Sequence, residues 1–195
     1  MRAKMPVMSE TTPVYRGRFA PSPTGPLHLG SLFCAAATWL DARSHGGVWL
    51  VRIEDIDPPR DMPGADRLIL DTLAAFGLTS DEPVVWQSKR CDLYEAALAR
   101  LYALHRAYGC ACTNTDIAHA CVLLHLPKGV YPGTCRRGTH GKPVRSVRFL
   151  TEDREVAFTD RLCGPVKQNV EKEVGDFIIR RADHLWAYQL CVVVD

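Results

Sequence analysis

The sequence predicts an α/β protein built on a parallel sheet, and three observations carry that prediction. Short apolar runs alternate with helical periodicity through the first half, Gly and Pro punctuate the junctions, and the first apolar run opens into a proline-rich loop that leads straight into a helix. At 195 residues, 47% hydrophobic and 24% charged, the chain can bury a real core, which excludes a disordered or collagen-like protein. No run approaches the roughly 18 consecutive apolar residues of a membrane-spanning helix. The opening MRAKMPVMSE is basic but lacks the apolar region of a secretory signal, so a cytoplasmic protein is expected. A formal charge of +2 sets up no global field, and any contact with nucleic acid must be local. The eight cysteines are too scattered for a disulfide scaffold and read as reduced thiols or metal ligands.

In chain order, a flexible tail over residues 1–14 precedes a strand from Tyr15 to Ala20, which stops against Pro21. The loop Pro21-Ser22-Pro23-Thr24-Gly25-Pro26 cannot be helical. Helical spacing then runs from His28 to about Ser44, with Leu32, Phe33, Ala36, Trp39 and Leu40 as its apolar stripe and Gly46-Gly47 as its stop. Trp49 to Ile53 reads as a second strand, and Pro63 to Phe76 as a second helix closed by Gly77. Strand, helix, strand, helix implies parallel pairing, and the first strand-to-helix loop is where such sheets bind nucleotides. A third helix begins at Arg90, carries Leu93, Ala97, Leu101 and Leu104, and closes near Gly109. Residues Cys110 to Arg137 hold four of the eight cysteines with little periodicity, as expected of a small inserted unit. Val144–Phe149, Glu155–Phe158 and Asp176–Arg181 read as antiparallel strands, and the β-branched run Trp186 to Val194 as a last strand.

The loop from Arg18 to Ser31 carries the first chemistry. A helix N-terminus after a glycine-containing loop offers unpaired N–H groups and a positive dipole end suited to phosphate. His28 adds a donor beside them, and Gly30 leaves room for a flat base against the backbone. The segment Arg18-Phe19-Ala20-Pro21-Ser22-Pro23-Thr24-Gly25-Pro26-Leu27-His28-Leu29-Gly30-Ser31 resembles the first signature of class I aminoacyl-tRNA synthetases, with His-Leu-Gly-Ser standing for the family's HIGH tetrapeptide. Arg52-Ile53-Glu54-Asp55-Ile56-Asp57-Pro58-Pro59-Arg60 resembles the continuation of the glutamate-specific branch. Its Ile56-Asp57-Pro58-Pro59 looks like the short branch that glutamylates the queuosine base of tRNA(Asp).

A second feature points the same way. Cys110-Ala111-Cys112, eighteen residues, then Tyr131-Pro132-Gly133-Thr134-Cys135 resembles that branch's zinc site of three thiolates and a tyrosine, although the intervening stretch is several residues longer than the pattern. Thiolates suit Zn²⁺, and four ligands close a tetrahedral structural site. Chemistry alone favours Cys121, His119 or His125 as the fourth ligand, and buried thiols without metal are the alternative; the resemblance implies Tyr131.

The resemblance further implies a Rossmann-type nucleotide fold, its first half at 15–108, a zinc-binding α+β insertion at 109–173, and an incomplete return into the catalytic domain at 174–195. It implies His28 and Gly30 as catalytic and Pro21, His28, Gly30 and Ser31 as the ATP site. Glutamate is assigned to Arg18, Phe19, Ala20, Pro21, Ser22, Glu54 and Tyr188, with Arg18 pairing a carboxylate, Glu54 holding the ammonium, and Tyr188 presented from the final strand. The implied reaction joins glutamate and ATP with Mg²⁺ into glutamyl-adenylate and passes the glutamyl group to tRNA(Asp) on a monomeric enzyme. The family's second ATP signature, a Lys-Met/Leu-Ser-Lys loop, does not occur, so the sequence implies about two-thirds of a complete member and leaves its activity in doubt. An ordinary glutamyl-tRNA synthetase fragment and a non-catalytic binding remnant are the alternatives. Arg136, Arg137, Lys142, Arg145 and Arg148 form a modest basic cluster, suited to tRNA phosphates or to a solvated face. His45, His105, His140 and His184 read as surface or packing residues, and Cys34, Cys91, Cys163 and Cys191 as core thiols.

Overall fold

The structure, a computed structural model, describes residues 14–195, so all but the last residue of the expected tail lies outside it. Two compact units divide the chain after Lys89.

The first unit holds β1 (Arg16–Phe19), α1 (Leu29–Ser44), β2 (Val48–Ile53), α2 (Ala65–Ala75) and β3 (Val85–Trp86), with a 3₁₀ turn beginning at Gln87. The sheet order is β1-β2-β3, parallel throughout, with Arg18 opposite Leu50 and Arg52 opposite Val85. Parallel pairing is what the alternation predicted; β3, two residues long, gave no periodic signal. Ahead of β3 the edge of β2 is closed by side chains, with Trp49 N donating to Asp81 Oδ2 at 2.6 Å and Val51 N to Ser80 Oγ at 3.1 Å.

Phe19, Trp49, Val51, Ile53, Ile69 and Leu73 form the core between sheet and helices. Each large side chain so buried contributes about 1.5–3 kcal/mol. The stripe expected on α1 holds in part: Leu32, Ala36 and Trp39 pack against the core, but Ala35 and Ala42 are the fully buried residues, and Phe33 and Leu40 are 74% and 61% exposed. The reason is close approach. A β-carbon at Gly17 would stand 2.9 Å from Ala42 Cβ, so α1 lies on β1 through its small residues and turns two large ones outward.

The second unit comprises α3 (Cys91–Ala103), β4 (Ala107–Cys110), α4 (Asn114–Leu123), β5 (Ser146–Phe149), β6 (Glu155–Asp160), β7 (Gly164–Asn169), the one-turn α5 (Val170–Glu173), β8 (Ile178–Arg180) and α6 (Tyr188–Val194). An antiparallel sheet runs β4-β5-β8, and β6 and β7 form a separate hairpin. Three expectations change. The third helix stops at Ala103 and buries Tyr94 and Leu98, and the residues up to Cys110 form β4 instead of a helical end. The cysteine-rich stretch contains α4, started by a capping box in which Thr113 and Asp116 satisfy each other's backbone amides.

The third change is the final run, which is helical. Trp186 makes a single bridge to Arg180, with no ladder beyond it, and from Tyr188 the backbone bonds to itself while Leu190 and Cys191 are buried. Asp195 closes the turn, accepting from Arg90 Nε at 2.6 Å and Tyr94 Oη at 2.9 Å. Helix propensity costs β-branched residues only about half a kcal/mol each, which this packing overrides. Three of the four supposed core thiols, Cys34, Cys91 and Cys163, are exposed; Cys191 is buried.

Candidate functional site

In the first unit the chemistry gathers where β1 gives way to α1. The loop between them is pinned from two sides, Glu54 N donating to Pro21 O at 2.9 Å and Met62 N to Pro23 O at 2.8 Å. A cavity of about 410 Å³ opens along this loop, lined by Phe19, Ala20, Pro21, Ser22, His28, Gly30, Ser31 and Cys34 among others. That volume lies within the roughly 300–1,000 Å³ of small-molecule sites.

His28 is the N-cap of α1. Its Nδ1 accepts from Ser31 N at 3.2 Å, and its Nε2 lies 3.0 Å from Ser31 Oγ. The bond from Ser31 N uses the Nδ1 lone pair, and the Ser31 hydroxyl stands against the other ring nitrogen. A β-carbon on residue 30 would stand 3.1 Å from His28 Cε1, so Gly30 makes room for the imidazole itself.

Arg18 and Glu54 stand beside the cavity rather than in its wall. Glu54 is buried at the end of β2; its Oε1 accepts from Arg52 Nη2 at 2.8 Å and lies 3.7 Å from Arg18 Nη1. Glu54 Oε2 carries no hydrogen bond among the described residues. Arg52 is as buried as the glutamate, whereas the Arg18 side chain is 45% exposed. The pair therefore presents one solvent-facing cation and one open carboxylate oxygen, complementary to the two charged groups of an amino acid. Arg52 orients Glu54, a role that sequence spacing alone did not give it. Tyr188 lies in the second unit, exposed, at the first residue of α6 rather than on a strand.

The second unit brings Cys110, Cys112, Cys135 and Tyr131 together. The three sulfurs lie within 4.8 Å of one another, Cys112 and Cys135 at 3.6 Å. Tyr131 Oη is 3.4 Å from Cys110 Sγ and 3.8 Å from Cys112 Sγ, and accepts from Cys135 N at 3.0 Å. Ligands about 2.3 Å from a tetrahedral ion stand roughly 3.8 Å apart, so three thiols and a phenol at these spacings fit a metal ion. A sulfur separation of 3.6 Å is far beyond a disulfide bond. Burial pushes the Cys110 thiol up, but the Tyr131 hydroxyl and Arg148 outweigh it and draw the thiol below its usual range. Burial, reinforced by Cys135, raises Cys112 to about 11, and burial likewise raises Tyr131. A cation is what would offset these burial costs.

Cys121, His119 and His125 are not in the cluster. Cys121 donates to Val130 O at 3.0 Å, and both histidines are exposed. Tyr131 is placed by a bridge to Gly175 and by its N–H, which donates to Val174 O at 3.1 Å. The expected basic cluster is split. Arg137, Lys142 and Arg145 are exposed, but Arg136 pairs with the buried Asp176 through Nε at 2.6 Å and Nη2 at 2.7 Å, and Arg148 is buried against Cys110 and Tyr131.

Residues 15–121 match the family profile described as tRNA synthetases class I (E and Q), catalytic domain. Over 188 residues the chain is 57% identical to a glutamyl-Q tRNA(Asp) synthetase of Burkholderia cenocepacia (strain HI2424), covering 94% of this chain and 63% of that protein. A protein of the same description from Cupriavidus metallidurans is 59% identical, over 93% of this chain and 60% of that one. The chain thus spans under two-thirds of the length of these relatives. Its fold also matches a glutamate tRNA ligase from Elizabethkingia meningosepticum, solved in complex with its amino acid, at a TM-score of 0.77 and 27% identity over 92% of this chain and 41% of that one. The profile takes in more than half the chain, including His28 with its cavity, Glu54, and the first two cysteines of the cluster; the chain belongs to the class I tRNA synthetases of the E and Q group.

Proposed function

We propose that this chain carries the glutamate-activating site of an enzyme that joins glutamate to ATP as glutamyl-adenylate and delivers the glutamyl group to the queuosine base in the tRNA(Asp) anticodon. The observation that carries the reading is the His28 cavity with the Arg18–Glu54 pair at its side. The identity to proteins described as glutamyl-Q tRNA(Asp) synthetases, twice that to the glutamate tRNA ligase, supports the choice of acceptor. On this reading residues 15–108 are the first half of a Rossmann-type catalytic domain, 109–173 the metal-binding insertion and 174–195 the return into the catalytic domain. The protein works in the cytoplasm as a monomer.

Arg18 takes a carboxylate of glutamate, Glu54 the ammonium through its open oxygen, and Phe19 to Ser22 the wall against which the amino acid lies. Pro21, Gly30 and Ser31 flank ATP. The remaining carboxylate of glutamate attacks the α-phosphorus and pyrophosphate leaves; in the second step a nucleophilic group of the queuosine base attacks the activated carbonyl and gives up its proton, and AMP leaves. His28 and the amides opening α1 face the phosphate oxygens and stabilise the charge that builds there. Catalysis on this scheme is positioning plus charge stabilisation. Mg²⁺ bound with ATP would neutralise phosphate charge. Cys110, Cys112, Tyr131 and Cys135 would hold Zn²⁺, which would close the insertion structurally and supply no step of the reaction.

Glutamate-dependent exchange of pyrophosphate into ATP tests the reading. Exchange without tRNA is the expected result in a protein that carries this site together with the second ATP signature, along with transfer of labelled glutamate to queuosine-containing tRNA(Asp). Exchange only with tRNA(Glu) would identify an ordinary glutamyl-tRNA synthetase, a reading the fold match to a glutamate tRNA ligase favours. No exchange under either condition would leave the non-catalytic remnant that binds glutamate, ATP or tRNA without reacting.

A further inference from the structure

Arg148 sits at the centre of the second unit with only 5% of its surface exposed. A guanidinium stays charged, and burying one without a counter-charge costs several kcal/mol on the order of the effective ion penalty. Its contacts include no carboxylate among the described residues. Nε donates to Cys110 Sγ at 3.2 Å, Nη1 donates to the main-chain carbonyl of Asp176 at 2.6 Å, and the guanidinium carbon lies 3.7 Å from the centroid of the Tyr131 ring. The nearest buried carboxylate, that of Asp176, is committed elsewhere: it pairs with Arg136 and accepts from Tyr108 and from Thr151 N and Oγ1. Asp176 thus aims Arg148 through its backbone and leaves the positive charge unneutralised.

The anion that Arg148 faces is the sulfur cluster. Three thiolates around a divalent ion leave one net negative charge, and a phenolate as fourth ligand makes it two. We infer that Arg148 is the built-in counter-ion of this metal centre, a positioning residue that holds Cys110 and Tyr131 in their ligating geometry while balancing the charge of the loaded site. One side chain touches two of the four ligands, and the site and its counter-ion are buried together. The arrangement also favours a tyrosine over a histidine at the fourth position, because a neutral imidazole would leave less negative charge for the guanidinium to offset. This inference rests on the cluster being a zinc site.

The test is zinc retention by the full chain against increasing chelator, with metal transfer read by a colorimetric indicator. Partners outside the ligand shell are worth about 10- to 100-fold in metal affinity. Arg148→Gln and Arg148→Met should lose zinc at chelator concentrations about 10- to 100-fold lower than the native chain, and Arg148→Lys, which keeps the charge, should recover most of that loss. Equal retention by native chain and Arg148→Gln would overturn the counter-ion role, as would Arg148→Lys no better than Arg148→Gln, the signature of a merely structural residue. Should Arg148→Gln not fold, Arg148→Lys decides alone: retention within about tenfold of native supports the role, and a loss beyond that contradicts it. A native chain that holds no zinc and takes none up would instead overturn the metal site itself.

Discussion

His28 does two jobs with one ring. Its Nδ1 caps α1 through Ser31 N, and on the function proposed above the same ring also faces the phosphate of ATP. Removing a comparable donor from a charge-stabilising site costs about 10²–10³ in turnover. His28→Ala should therefore lower glutamate-dependent pyrophosphate exchange by about that factor, and lose about 1 kcal/mol of stability with the cap, read by thermal unfolding. The cysteine cluster gives a second prediction: Cys112→Ser should release the metal and loosen the second unit first, seen as loss of bound zinc and as faster backbone exchange around Tyr131. Much of this was legible at the level of single residues, because His28, Glu54, Cys110, Cys112, Tyr131 and Cys135 lie in motifs with fixed spacing. Arg148 and Asp176 were not. Their work is done across β5, β8 and the loop at Tyr131, contacts that no local pattern records. Exposed Cys34 and Cys91 mislead for the same reason, since a thiol in a helix carries no mark of which way it faces, while the exposed Cys163 lies in the turn between β6 and β7.

Elements were legible where periodicity and punctuation agreed. The segments β1, α1, β2 and α2 sit within a few residues of their predicted limits, each closed by Pro or Gly. The failures share a cause: α6 is made of residues that prefer strands, and β3 and β4 are too short to alternate, so burial and available hydrogen-bond partners decided them. Gly175 shows how one backbone position sets an element's neighbour. Its φ is +75°, and a β-carbon there would collide with the main chain of Tyr131, whose amide nitrogen would stand at 2.6 Å. Gly175→Ala should destabilise the second unit by about 1–3 kcal/mol and weaken metal retention along with it. Lost stability with metal affinity unchanged would separate Gly175 from the placement of Tyr131. In the first unit, Ile69→Ala should cost about 2–5 kcal/mol, because Ile69 is fully buried between α2 and the sheet.

For the whole molecule, neither composition nor charge pointed to a substrate; at +2 the chain looked like any globular protein, and the reading came from two motifs that the parallel sheet sets at one end. The pH dependence of folding belongs at this scale. Hydrogen bonding from Arg43, then from Trp49 N, lowers the Asp81 carboxyl to about 2 against an ordinary 3.8. A group held below its unfolded value contributes stability that is complete above 3.8 and is lost as pH falls towards 2. Thermal unfolding of Asp81→Asn should therefore lie below native at neutral pH and converge with it as pH falls through that window; a gap that stays constant would show that the carboxylate's charge is not what stabilises.

The most direct measurement is a crystal structure of the chain with a non-hydrolysable glutamyl-adenylate analogue. The phosphate mimic should lie against His28 and the first amides of α1, the side-chain carboxylate on Arg18 and the ammonium on Glu54 Oε2, with calorimetric affinity reduced about 10- to 100-fold in Arg18→Ala, as expected for a charged hydrogen bond. An analogue bound away from the His28 cavity, or one whose affinity ignores both His28 and Arg18, would contradict the account.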